Sequence, residues 1–151
     1  MAATTAKKGV GLYLDAVAIV LAVAGIVAMI VSGTMGSGYE FSGLPLYACA
    51  CVLAVALIVV AIYTDLKCAE KGPGLVALFA LGVAIFLLAY SGIQVVSSRA
   101  LTISGLFSWN SMDTTGWHMF WAAATSAGCL LASSVLLTIG GFLPIAKAPA
   151  R

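Results

Sequence analysis

The chain is predicted to be an all-α, polytopic membrane protein: an antiparallel bundle of four transmembrane helices with the N- and C-termini in the cytoplasm. Three observations predict this. Four long apolar blocks, at 9–32, 46–64, 74–96 and 117–142, are separated by short polar connections. Each is roughly 19 to 26 residues long, and a helix needs about 20 to cross the hydrocarbon core of a bilayer. Composition points the same way. Hydrophobic residues make up 63% of the chain and charged ones only 8%, whereas a soluble domain carries roughly 25% charged residues. So few charges leave too little polar surface to keep such a chain in water. The third observation is the placement of the basic residues. Lys7 and Lys8 precede the first block, Lys67 and Lys71 lie between the second and third, and Lys147 and Arg151 follow the fourth. Arg99 alone falls on the other side, and the positive-inside tendency then sets the sidedness.

The four blocks use up the 151 residues, so 1–151 reads as a single transmembrane domain. The first block is longer than the apolar core of a signal peptide and is followed by no small-x-small cleavage pattern, so it is expected to be retained as a span. The Gly- and Ser-rich run 32–38 ends it in a flexible outer turn. Pro45 sits where a helix tolerates proline best, in its first turn. Tyr47 and Tyr63 mark the two ends of the second span, as interfacial aromatics do. Gly72, Pro73 and Gly74 break the chain sharply before the third span. The longest connection, 97–116, mixes Leu101, Ile103, Leu106, Phe107 and Trp109 with Ser, Thr and Asn. It is expected to lie in the interface as a short helix or re-entrant turn. Trp117, Phe120 and Trp121 open the fourth span in an aromatic belt.

Lipid is as apolar as leucine, so small residues that admit close backbone approach are expected to hold such a bundle together. In span one Gly11, Asp15, Ala18, Ala22, Gly25 and Ser32 form one stripe, with Met29 the exception. The opposite side, Leu12, Ile19, Val23, Ile26 and Ile30, is expected to meet lipid. In span four the stripe reads Ala122, Ser126, Cys129, Ser133 and Gly140, widened by Thr125, Gly128 and Ala132. Ala80, Ala84, Ser91 and Gln94 serve span three, and Ala50 and Ala54 span two.

Few residues carry candidate chemistry. Asp15 lies about 4 to 6 residues past the cytoplasmic interface, roughly 6 to 9 Å deep at a rise of about 1.5 Å per residue. Intramembrane carboxylates are costly and face protein or water. Asp15 is therefore a candidate coupling carboxylate for a proton or cation. The structural alternative is an ion pair with Lys8, Lys67 or Lys71 that fixes helix register. Phe107, Trp109, Asn110, Asp113, Trp117 and His118 form a candidate external surface, or an interfacial anchor. His118, the only histidine, lacks a second ligand of like kind, so no metal or haem site is expected. The cysteines, Cys49, Cys51, Cys68 and Cys129, lack the Cys-x-x-Cys spacing of a thiol-exchange centre and read as small apolar residues. No Gly-x-Ser-x-Gly elbow and no phosphate loop is present, and no cofactor is expected. No dense basic patch suits a nucleic acid.

These observations predict a non-enzymatic integral membrane protein, an accessory or scaffold subunit. Its partners are the lipid bilayer and either another membrane protein or a second copy, met through small-residue helix faces. The alternative is a small oligomeric transporter or channel with Asp15 as the coupling group. The compact design, without a eukaryotic targeting signal, points to a bacterial inner membrane. In a cysteine-free background, a cysteine placed at Ala69 is expected to react with an impermeant maleimide only from the cytoplasmic side. Labelling on intact cells would reverse the assigned orientation.

Overall fold

The computed structural model describes residues 9–35, 41, 43–67, 74–109 and 112–143. They form four helices: α1 (Val10–Thr34), α2 (Leu44–Lys67), α3 (Leu75–Ser108) and α4 (Thr114–Gly140). Each is long and apolar enough to cross a membrane. Valine and isoleucine are frequent in them, although β-branched residues are indifferent helix formers in water. Where no water competes, the backbone must bond to itself and the helix wins regardless of propensity. Local signals set several ends. Gly43, with φ of 92°, takes the left-handed turn before α2 that a Cβ would strain. Pro45 follows in the first turn, where its missing N–H costs nothing.

The 97–116 connection differs from expectation. Residues 97–108 continue α3 as helix, so α3 is 34 residues long, about 51 Å at 1.5 Å per residue. That exceeds the roughly 30 Å of a hydrocarbon core. Hydropathy falls after residue 96, but no proline follows, and Gly105 alone is too weak a breaker. The added turns also gain contacts: Arg99 and Leu106 are both buried.

Around the bundle, α1 packs against α2 and α4, and α3 against the same two neighbours. Buried positions recur at alternating steps of three and four, the spacing of a left-handed coiled-coil seam. On α1 they are Gly11, Asp15, Ala18, Ala22, Gly25, Met29 and Ser32. Met29 belongs to this stripe and is fully enclosed. The opposite side is less open than expected. Ile19 and Ile26 pack against the core, and the outward face is formed by Val17, Val20, Val23, Val27 and Ile30.

On α4 the buried face is Gly116, Met119, Ala123, Ser126, Leu130, Ser133, Leu137 and Gly140, widened by Ala127 and Ser134. Thr125, Gly128 and Ala132 are exposed, and Ala122 and Cys129 are only half-buried. The face is thus rotated from the small-residue stripe: Met119, Leu130 and Leu137 are buried on it, and Leu130 packs over Gly25 of α1. On α3, Ala80, Ala84 and Ser91 are buried and Gln94 is half-buried. On α2, Ala54 is buried and Ala50 half-buried.

The α1–α4 seam is tight. Ser126 Oγ donates to the Gly25 carbonyl at 2.9 Å and Ser133 Oγ to the Ala18 carbonyl at 2.7 Å. A Cβ added at Gly25 would lie 2.9 Å from Leu130 Cγ, whereas one at Gly128 would meet nothing within 4 Å. Gly25→Ala should therefore destabilise the bundle by about 1–3 kcal/mol through overpacking. Gly128→Ala should not destabilise, and gains up to about 1 kcal/mol from the better helix former. Reversible unfolding by steric trapping in bicelles checks both, and equal effects would contradict this seam.

Candidate functional site

The α1–α4 register determines where Asp15 goes. Residue numbers fall along α1 as they rise along α4: Ser126 meets Gly25, and Ser133 meets Ala18. One heptad further along, Gly140 comes level with Gly11. Helical side chains lean toward the N-terminus of their own helix. Asp15, one turn on from Gly11, therefore reaches back to Gly140. A Cβ at Gly140 would stand 2.7 Å from Asp15 Oδ1, so the glycine opens the notch that the carboxylate occupies.

Asp15 is 2% exposed, and its Oδ1 has no hydrogen-bond partner. The predicted ion pair is not found among the described residues. Lys67 is exposed and lies over the Tyr63 ring, 4.5 Å from its centroid. Lys8 and Lys71 lie outside the described residues. Among the described residues, a group within electrostatic reach of Asp15 is another acid, Asp65, near the end of α2. Asp65 is half-buried, and its Oδ1 is likewise enclosed without a partner. Sequence reasoning missed it because Asp65 falls one residue past the expected second span. The signal was present: Cys51, Ala54, Ile58 and Ala61 form the buried stripe of α2, and the next step of four is Asp65.

The other end of the bundle holds the opposite charge. Arg99, read from sequence as a loop residue, is buried on α3. Its guanidinium donates through Nη2 to the Ser32 carbonyl at 2.8 Å. That carbonyl belongs to the last turn of α1, where acceptors lack intrahelical donors and the helix end carries negative partial charge. The guanidinium carbon also sits 5.7 Å from the Phe41 ring centroid. Phe41 stacks on Tyr47 at 5.4 Å, and Tyr47 meets Tyr90 at 6.2 Å. Arg99 therefore ties α3 to the end of α1 and to the aromatic side of α2.

The external aromatic group is brought together in part. Phe107 and Trp117 meet edge to face at 5.0 Å, and Phe120 joins both at 5.7 Å. Trp109 stands 91% exposed. His118 is exposed, Asp113 half-buried at the N-cap of α4, and Asn110 lies outside the described residues. Cys51 and Ser91 are both buried, and the Ser91 hydroxyl has no hydrogen-bond partner. Cys49 and Cys129 are free thiols, and Cys68 lies outside the described residues. Among the described residues, no three His, Cys, Asp or Glu side chains gather as metal ligands would.

No family model, curated protein or solved structure matches this chain.

The arrangement can hold charge at both ends of an apolar core, with acids where α1 begins and a cation where it ends. The notch at Gly140 is directly testable. Gly140→Ala should destabilise the protein by about 1–3 kcal/mol through crowding of the carboxylate. In an Asp15→Ala background the same change should cost less than about 0.5 kcal/mol, because touching residues are non-additive. Additive effects in that double-mutant cycle would mean that the two residues do not touch.

Proposed function

We propose that this chain is a non-enzymatic integral protein of a bacterial inner membrane, an antiparallel four-helix bundle with both termini in the cytoplasm. In this reading it is an accessory or scaffold subunit that presents an outer helix face to a partner helix, from another membrane protein or a second copy. The antiparallel order draws support from the pairing of Ser126 with Gly25 and Ser133 with Ala18. The cytoplasmic placement draws support from the distribution of lysines in the sequence.

The observation that carries the scaffold reading is a groove on the outer face of α3. It has a volume of about 450 Å³ and is lined by Leu75, Leu78, Phe79, Gly82, Val83 and Phe86. Phe79 and Phe86 are exposed walls, and nothing within 4 Å would meet a Cβ on Gly82. A hole between large side chains, floored by glycine, suits a knob from a neighbouring helix. Lipid chains fill such a hole less well, because they carry no fixed shape.

A second reading, a small oligomeric transporter or channel, is favoured by one observation, the buried carboxylate of Asp15, whose Oδ1 has no hydrogen-bond partner. Intramembrane carboxylates mark ion or proton pathways in many such proteins.

Filling the groove tests the first reading. In native-lipid nanodiscs the wild-type protein should form a complex with a second copy or a partner. Gly82→Trp should shift it to the single chain with unchanged helix content. Step-counting photobleaching and cross-linking in membranes report the difference. A wild-type protein that is a single chain in both measurements, or a complex untouched by Gly82→Trp, would overturn the proposal.

A further inference from the structure

We propose that the closed α1–α4 seam holds Asp15 as the neutral acid, so that seating this carboxyl beside Gly140 takes up one proton. The notch it occupies is poor in donors and rich in acceptors. Asp15 is 2% exposed, and its Oδ1 is enclosed with no hydrogen-bond partner. The N–H groups just past the notch are committed elsewhere. Gly141 donates to the Leu137 carbonyl at 2.9 Å, Phe142 to the Ile139 carbonyl at 3.2 Å and Leu143 to the Gly140 carbonyl at 2.9 Å. The hydroxyls on the same half of α4 are committed as well. Ser133 donates to the Ala18 carbonyl, Ser134 to that of Leu131 and Thr138 to that of Ser134. An ionised carboxylate only accepts, and each of these donors is turned to a carbonyl instead.

The seat itself opposes an anion. A Cβ at Gly140 would stand 2.7 Å from Asp15 Oδ1, so the carboxyl rests against the backbone at the end of α4. α4 ends at Gly140, and a helix carries negative partial charge over its last turn. A carboxylate there adds a buried charge of the same sign. One proton removes that charge and gives the residue an O–H to donate. The charged and titratable groups on the neighbouring elements do not supply the missing donor among the described residues. α1 carries Tyr13, which is exposed. α2 carries Tyr63 and Lys67, both exposed, with Lys67 over the Tyr63 ring. It also carries Asp65, half-buried and itself an acid. The last turns of α4 hold none, the one histidine, His118, lying in its first turns, and the first turns of α3, residues 75–81, hold none either.

A proton fits this notch better than a metal ion does. A hard cation takes about six or more oxygen ligands, and no three His, Cys, Asp or Glu side chains gather among the described residues. Oδ1 is enclosed, and a proton needs no added volume. None of this depends on the groove at Gly82, or on whether the chain is a scaffold or a transporter.

Infrared difference titration of the full chain in lipid vesicles reads the proton directly. At about pH 6 an exposed aspartate, with a pKa of about 3.9, is ionised. Wild type should there show one protonated-carboxyl stretch per chain. Asp15→Asn should remove it, Asp65→Asn should leave it, and circular dichroism should show both variants helical. Steric trapping in bicelles gives a second readout. A group that binds its proton more tightly in the folded state stabilises at low pH, and that stability is lost as pH rises. The wild-type unfolding constant should therefore rise by up to about tenfold per pH unit, from the pH at which a free carboxyl ionises to the pH at which the band disappears. Asp15→Asn keeps the shape of the neutral acid and should lack that rise. No band in wild type would overturn the proposal, by making the residue an ionised carboxylate. So would a band that survives Asp15→Asn, or the same pH dependence of unfolding in wild type and Asp15→Asn. Loss of the wild-type band on adding sodium or potassium at constant pH would also overturn it, by making the occupant a metal cation.

Discussion

Close approach of α1 and α4 is the constraint on which the other features depend. Two serine hydroxyls on α4 reach backbone carbonyls of α1, at Gly25 and at Ala18, across seven-residue steps on both helices. Such bonds are possible only where the facing helix presents hydrogen or methyl groups in place of larger side chains. Each is modest, averaging about 0.6 kcal/mol where such bonds have been measured between membrane helices. Their larger effect is on register. A carbonyl already bonded within its helix accepts a second donor only in a narrow range of positions, so the two hydroxyls together select one alignment. That alignment puts Leu130 over Gly25 and Gly140 beside Asp15. A slip by one turn would drive Leu130 into a filled position and leave the carboxylate without its notch.

Buried charge follows the ends of α1. Arg99 meets the carbonyl end, where a cation is favoured, and its donor satisfies an acceptor that the helix itself cannot. This is a compensated burial: the guanidinium has an acceptor, an aromatic face and a helix end of suitable sign. Asp15 is different. It lies in the second turn of α1, where the favourable dipole has largely faded, its Oδ1 has no partner, and it faces the C-terminal end of α4 at Gly140. Lys67, near the end of α2, lies against the Tyr63 ring.

The legibility of this fold in the sequence varied with what each pattern encodes. The α1 stripe was readable because its small residues alternate with bulky ones at helical spacing. Even Met29, the odd member, falls on the same step. The α4 face was readable only in part. In water, buried positions are the apolar ones, and that rule would have found Met119, Leu130 and Leu137. In a chain this apolar, leucine reads equally as lipid-facing or as buried, and size became the only guide. It misplaced Thr125, Gly128 and Ala132, because a helix can bury large residues wherever its neighbour is small. The extension of α3 was hidden for another reason. Hydropathy drops at Ser97 and Ser98, yet nothing there breaks a helix, and polarity was read as a boundary. With that boundary went Arg99, four residues on from buried Val95. Asp65 was lost to the same habit at the end of span two. In both cases the step of three or four pointed inward while the hydropathy pointed out.

Gly82 and Gly128 lie on the outside of the bundle. A glycine in a helix interior is less favourable than alanine by about 1 kcal/mol. Gly25 offsets that cost by admitting Leu130, and Gly140, at the end of α4, admits the Asp15 carboxylate. Gly82 and Gly128 have no such return within the chain, since a Cβ on either would meet nothing within 4 Å. Alanine at either position would strengthen its helix and disturb no neighbour. Gly82 moreover sits at the floor of a groove between exposed phenylalanines, where a methyl group would make the hole shallower. On the proposed scaffold reading, a partner helix docked on α3 would supply the compensation that the chain itself does not give Gly82.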